Sequence, residues 1–281
     1  MRIKFWGTRG SIAVPGRQTI RYGGNTTCLE ITLESGRVVV VDAGTGIRAL
    51  GDKLASENEK VDIHLLVTHI HWDHVLGFPY FMPLYKSSSR IMIDGYPTCV
   101  NGLRNTFDNK MGDGFFPVKF DDLKAEIQYL EILKHRPLEI EGTVIDAMPL
   151  HHPQGGFGFR FREGEKTFVF LTDNELRKDG WRERSFDDYV KFCRDADLLI
   201  HDGQYTPEEI GERRDWGHSD YRSAFDLAYA AGVKNLFLFH HDPSRTDAEV
   251  SGIQGRCEAL ARGKKSSIII DAAQEESEIL L

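Results

Sequence analysis

The chain has 281 residues, 41% hydrophobic and 28% charged, with a formal net charge of −8 at pH 7. That length and apolar content suit one large core in a soluble protein, read as a single domain over residues 1–281. The acidic balance argues against a broad face for polyanions, no apolar run is long enough to cross a bilayer, and the start carries no signal segment, so a cytoplasmic location is expected.

In chain order, strands are predicted near 2–6, 27–33, 37–42 and 63–68, with a helix over 45–56 capped by Thr45. Glycines punctuate the start, in Gly7-Thr8-Arg9-Gly10-Ser11 and Tyr22-Gly23-Gly24-Asn25-Thr26. Such loops suit either an approach to phosphate or hairpin turns. Strand-like runs follow at 90–93, 128–133, 143–148, 157–162 and 167–171. The stretch 98–126 is the least regular. Of its aromatics and those of 77–85, Phe78 and Phe81 read as core, and Phe115 and Phe116 as pocket lining. Helices are predicted at 185–195 and 219–231, each opening with Ser, and at 246–262, with strands at 197–200, 235–239 and 267–270. The alternation is compatible with two stacked β layers flanked by helices. Cys28, Cys99, Cys193 and Cys257 are scattered, form no C-x-x-C pair, and read as reduced thiols.

Residues 68–74 read Thr-His-Ile-His-Trp-Asp-His, three imidazoles and a carboxylate directly after an apolar run. Neutral imidazole and carboxylate are ligands for zinc, iron or manganese, and without a cation this crowding of polar rings has no folding benefit. His69 and His71 are two apart and can point the same way, whereas Asp73 and His74 are directed elsewhere, towards a second ion. Other apolar runs also stop at ionisable residues. Val38 to Val41 leads into Asp42, Phe168 to Thr172 into Asp173, Leu198 to Ile200 into His201 and Asp202, and Leu236 to Phe239 into His240 and His241. Strand ends of a layered α/β domain are where catalytic groups gather. In the doublets His151-His152 and His240-His241, one member is expected to bind metal and the other to pack or support it.

The Thr-His-x-His-x-Asp-His segment, Val41-Asp42-Ala43-Gly44-Thr45-Gly46 and the later histidines and aspartate resemble the metallo-β-lactamase-fold hydrolases. Three further stretches resemble the ribonuclease Z and phosphodiesterase branch of that superfamily. These are His152 ahead of Gly158-Phe159-Arg160, then Leu199-Ile200-His201-Asp202, then Gly217-His218-Ser219. The resemblance runs from residue 7 to about residue 245 and implies a four-layer αββα sandwich. It also implies one ion held by His69, His71 and His152, a second held by Asp73, His74 and His240, and Asp173 bridging. His152 is preferred to His151 for its spacing to Gly158. His240 is preferred to His241 because it directly follows four apolar residues, as His69 follows its strand. Asp42 is expected to orient a ligand imidazole.

The cofactors expected are two divalent ions, zinc or manganese. Two ions about 3.5–4 Å apart can share a hydroxide and clamp the oxygens of a phosphodiester. Asp73 would then take a proton as well as bind metal, and His218 would donate one to the leaving alkoxide or steady the phosphoryl oxygens. Asp202 would hold that imidazole, although the branch has the longer Glu there. A small cyclic or diester phosphate is the expected substrate, and a homodimer is compatible with the chain. Three alternatives stand beside this reading: a tRNA 3′-processing endoribonuclease, a thioester or lactam hydrolase, and a non-catalytic metal-binding protein. Against the first, only 20 residues separate His152 from Asp173, where tRNA-processing members carry a protruding arm. Di-iron redox members would replace an imidazole of the 69–74 cluster with a carboxylate, and this chain does not.

Overall fold

The computed structural model describes residues 1–96, 103, 105, 107, 111, 112, 114, 116–177 and 184–281. Phe115 and Cys99 lie outside them. The first sheet contains β1 (Arg2–Gly7), β2 (Cys28–Thr32), β3 (Val38–Val41), β4 (Asp62–Val67), β5 (Arg90–Gly95) and β6 (Glu126–Tyr129). The second contains β7 (Leu138–Ile140), β8 (Thr143–Pro149), β9 (Phe157–Glu163), β10 (Lys166–Leu171), β11 (Leu198–Asp202), β12 (Asn235–Phe239) and β13 (Ile269–Ala272). A last strand, β14 (Glu278–Leu280), returns to the edge of the first sheet beside β1.

Each sheet is antiparallel in one half and parallel in the other. In the first, β3 to β6 are parallel neighbours; in the second, β10 to β13 are. Parallel strands are covered on both faces, so their residues alternate between two cores rather than between core and solvent. Phe168 and Phe170 of β10 point between the sheets, while Val169 and Leu171 point to the outer helices. In β4, Leu66 faces the partner sheet, and Ile63, Leu65 and Val67 face outwards. Full burial of one such side chain contributes roughly 1.5–3 kcal/mol.

Helix α1 (Ile47–Glu57) packs on the outer face of the first sheet, and a single turn, α2 (Trp72–Val75), follows β4. Helices α3 (Phe186–Cys193), α4 (Tyr221–Ala231) and α5 (Asp247–Gly263) cover the second sheet. The order helix, sheet, sheet, helix is the αββα sandwich. Among the described residues, no helix is long and apolar enough to cross a membrane. Cys28, Cys193 and Cys257 are buried free thiols.

Local chemistry departs from expectation in a few places. Helix α1 is preceded by Gly46 without a side-chain cap. Thr45 instead accepts the Thr26 N–H at 2.9 Å and donates to Asn25 Oδ1 at 3.1 Å, pinning the glycine loop. Asp220, not Ser219, caps α4, accepting from the N–H groups of Arg222 and Ser223. Ser185 and Thr246 do cap α3 and α5, each in a capping box with an acidic residue three positions on. Strand β6 ends at Tyr129, short of the run expected over 128–133. The short strands β7 and β14 carry too little apolar pattern to be read beforehand. Phe78 and Phe81 are buried core, and Phe116 is half-buried with its ring edge-on to Tyr80.

Candidate metal centre

The carboxyl ends of β3, β4, β10, β11 and β12 point to one end of the sandwich, so residues distant in sequence meet there. Ligand-type atoms of His69, His71, His152 and Asp173 all lie within 4.8 Å of one another, and so do those of Asp73, His74, Asp173 and His240. Asp173 belongs to both sets. Its Oδ2 is 3.3 Å from His69 Nε2 and 3.4 Å from His74 Nε2, and its Oδ1 is 3.2 Å from His240 Nε2. Asp73 Oδ2 lies 3.1 Å from His240 Nε2 and 3.4 Å from His74 Nε2.

Three strand-end residues reach these positions through left-handed backbone: Asp42 at φ +63°, Asp173 at φ +59° and His240 at φ +54°. Each follows the last residue of β3, β12 or, one residue further on, β10. Non-glycine residues avoid this region at a cost of about 1–3 kcal/mol each. Here the turn swings a polar side chain across the strand end instead of continuing the pleat.

The nitrogen of each imidazole that faces away from its neighbours has a partner, and that partner fixes the tautomer. His74 Nδ1–H donates to Asp42 Oδ2 at 2.8 Å, and His240 Nδ1–H to Gln204 Oε1 at 2.8 Å. His152 Nδ1–H donates to the Gly217 carbonyl at 3.2 Å, and His71 Nε2–H to Gln154 Oε1 at 2.8 Å. His69 Nδ1–H donates to Thr68 Oγ1 at 3.1 Å, and that hydroxyl donates to Asp42 Oδ2 at 2.9 Å. Asp42 therefore braces His74 directly and His69 through Thr68. Gln154, Gln204, Thr68 and the Gly217 carbonyl were not legible as partners from sequence, since single glutamines carry no pattern.

With these protons placed, the inward nitrogens carry lone pairs. His152 Nε2 and His71 Nδ1 face each other at 3.1 Å as two acceptors. Among the described residues, His69 Nε2 and His74 Nε2 are buried without a hydrogen-bond partner. Donor atoms about 2.1 Å from a shared ion in a tetrahedron are about 3.4 Å apart, the spacing seen here, so the residues fit divalent metal. Burial pushes His69 down to about 4 and His152 to about 3, keeping both neutral. Asp173 is buried among the imidazoles and turns both carboxylate oxygens to the nitrogens of His69, His74 and His240.

His151 and His241 turn away from the centre. His151 packs edge-on to Tyr189 with Nδ1 on the Glu175 carbonyl, and His241 donates Nε2–H to the Ala273 carbonyl. His218 stands between the two sets, its ring 5.0 Å from that of His240 and 5.5 Å from that of His152. The expected hydrogen bond from His218 to Asp202 is not made. Its Nδ1 is 3.8 Å from Asp202 Oδ2 and has no hydrogen-bond partner among the described residues. The shorter Asp202 side chain is occupied by the N–H groups of Ser219 at 2.6 Å and Asn174 at 3.2 Å. Burial and the charge of Asp173 push its carboxyl well above the ordinary value.

Known proteins share this architecture. Residues 37–241 match the family described as the Beta-lactamase superfamily domain. A ribonuclease Z of Picrophilus torridus is 21% identical, with 88% of this chain and 87% of the relative aligned. The metallo-beta-lactamase fold protein YhfI of Bacillus subtilis superposes with a TM-score of 0.73 at 16% identity, covering 99% of this chain and 98% of that one. A diphosphatase of the PhnP family superposes with a TM-score of 0.65 at 17% identity, covering 100% and 97%. The chain belongs to the beta-lactamase superfamily and is a metal-dependent hydrolase with the metallo-β-lactamase fold.

Proposed function

We propose that this hydrolase cleaves small cyclic or diester phosphates. The observation that carries the reading is His218, a buried imidazole between the two ligand sets, its ring 5.0 Å from that of His240 and 5.5 Å from that of His152. His69, His71, His152 and Asp173 would hold one ion, and Asp73, His74, His240 and Asp173 the other, zinc or manganese in each case. Bound there, the ions supply Lewis acidity and a nucleophile at neutral pH.

The chain's own residues supply the remainder. His218 donates an N–H to a phosphoryl oxygen or to the leaving oxygen as the P–O bond breaks. Asp73, beside both His74 and His240, accepts the proton released when water adds to phosphorus. Asp202 does not grip His218; it ties the N–H of Ser219 to that of Asn174 and so fixes the backbone on which His218 sits.

A tRNA 3′-processing activity is the second reading, favoured by curated relatives that are ribonuclease Z proteins. Against it, β9 and β10 pair directly, Glu163 opposite Lys166, so the chain between His152 and Asp173 closes in a tight hairpin with no arm. The test is a substrate panel on one metal-analysed preparation: bis(p-nitrophenyl) phosphate, 2′,3′- and 3′,5′-cyclic nucleotides, a precursor tRNA, a thioester and a lactam. Turnover of the small diesters is expected. Intact diesters alongside cleaved tRNA, thioester or lactam would overturn the proposal.

A further inference from the structure

The loop 7–11, Gly-Thr-Arg-Gly-Ser, lies against the second ligand set. The backbone donors of residues 8–11 are all spent on protein. The N–H groups of Thr8 and Arg9 both reach the Asn25 carbonyl, at 3.0 and 2.9 Å, and that of Gly10 reaches the His241 carbonyl at 3.0 Å. The Ser11 N–H, at φ +63°, donates to Asp73 Oδ2 at 2.7 Å. A phosphate cradle needs free N–H groups, so the phosphate reading of this loop fails.

Arg9 is fully buried and braces the loop. Its guanidinium donates to the carbonyls of Gly23 at 2.8 Å, Arg245 at 2.9 Å and Asp242 at 3.2 Å. Burying a guanidinium is costly unless its donors are engaged; here Nη1 ties the loop to the segment that follows His240, and Nη2 lies 3.8 Å from Asp247 Oδ1. The return bond, from the His241 N–H to the Thr8 carbonyl at 3.0 Å, closes the pair. Gly10 then abuts His240 so closely that an added Cβ would sit 2.3 Å from its Cε1 and Nδ1.

We propose that this loop is a positioning element for the second ion alone, with Gly10 setting the plane of His240 and the Ser11 N–H aiming Asp73. The inference rests on the reading that both ligand sets hold ions. In a stable centre the Ser11 N–H fixes which Asp73 oxygen turns towards the site, and any side chain at position 10 pushes the His240 ring off its acceptor, Gln204. Neither residue is a metal ligand, so the effect is on ion occupancy first and on turnover only through it.

The experiment compares wild type, Gly10→Ala, His240→Ala, the double variant, and Gly16→Ala as a loop control, since a Cβ at Gly16 meets nothing within 4 Å. Each is titrated with zinc against a competing chelator, and bound metal is counted by elemental analysis. Gly10→Ala should weaken one of two ions about 10–100-fold and leave the other unchanged, while Gly16→Ala matches wild type. In the His240→Ala background the clashing ring is gone, so Gly10→Ala should add no further loss of metal or of Tm. That comparison holds even if Gly10→Ala alone folds poorly. Two ions bound at wild-type affinity by Gly10→Ala, equal loss of both, or additive loss in the double variant would overturn the inference. Wild type that binds no zinc would instead overturn the reading of the centre itself.

Discussion

The Nδ1–H of His74 donates to Asp42 Oδ2 at 2.8 Å, and neither side chain has any exposure to solvent. The same carboxylate accepts the Thr68 hydroxyl and, at 2.8 Å, the Thr68 N–H. One aspartate thus orients an imidazole in each ligand set. Asp42→Ala should weaken the affinity of both sets, by about 10–100-fold for the set containing His74. The check is zinc titration with a chromophoric chelator. Wild-type affinity in both sets would show that Asp42 serves only the fold.

Among the described residues, His218 has no hydrogen bond at Nδ1 that a truncation would disturb. His218→Ala should therefore leave two ions bound while slowing diester cleavage by about 10²–10⁴-fold. Steady-state kinetics with bis(p-nitrophenyl) phosphate and elemental analysis of the same sample measure both. A lost ion, or an unaltered kcat, would assign His218 to structure.

Metal removal should be felt by the whole fold, because the ligands come from loops after β4, β8, β10 and β12 and hold both sheets together at one end. Ions present at about 100 times Kd stabilise by about 2.7 kcal/mol per site. For a chain of this size chelation should lower Tm by about 5 °C or more. Calorimetry with and without a chelator tests this, and a coincident pair of transitions would refute it.

At the far end of the second sheet, Asp197 accepts the Thr167 N–H at 2.9 Å and pairs with Lys234 Nζ at 2.8 Å. Burial opposes its charge, but Lys234 and the Thr167 N–H outweigh that and hold the carboxyl below its ordinary value of 3.8. A depressed folded value means that the stabilisation is complete above the unfolded value and is lost as pH falls through the folded one. Lys234 is largely exposed, so screening leaves about 1 kcal/mol. Asp197→Asn should cost about that much at pH 7 and nothing at pH 2, read from urea midpoints. An equal loss at both values would contradict the assignment.

The parallel half of each sheet was readable because burial on both faces leaves unbroken apolar runs such as Phe168 to Leu171. The polar residue ending each run marked the edge where the site forms. The cluster at 69–74 was readable because its ligands are local. Three things were not. Within His151-His152 and His240-His241 the members preferred on spacing and position are the ones in the ligand sets, but the reason was not readable: it depends on which way a strand end turns, and the left-handed φ of His240 has no local signature. The distance from His218 to Asp202 depends on backbone N–H groups that compete for the carboxylate. The partners Gln154 and Gln204 are set by tertiary approach alone.

The left-handed turns at Asp42, Asp173 and His240 have one more consequence. Glycine would adopt each of them with less strain, so natural selection for robustness alone would drift towards glycine at exactly the places where chemistry needs a donor atom. A library randomised at these three sites and screened only for heat resistance without added metal should enrich glycine or asparagine and yield sturdy, inert proteins. Screened with zinc present, the same library should return to aspartate and histidine.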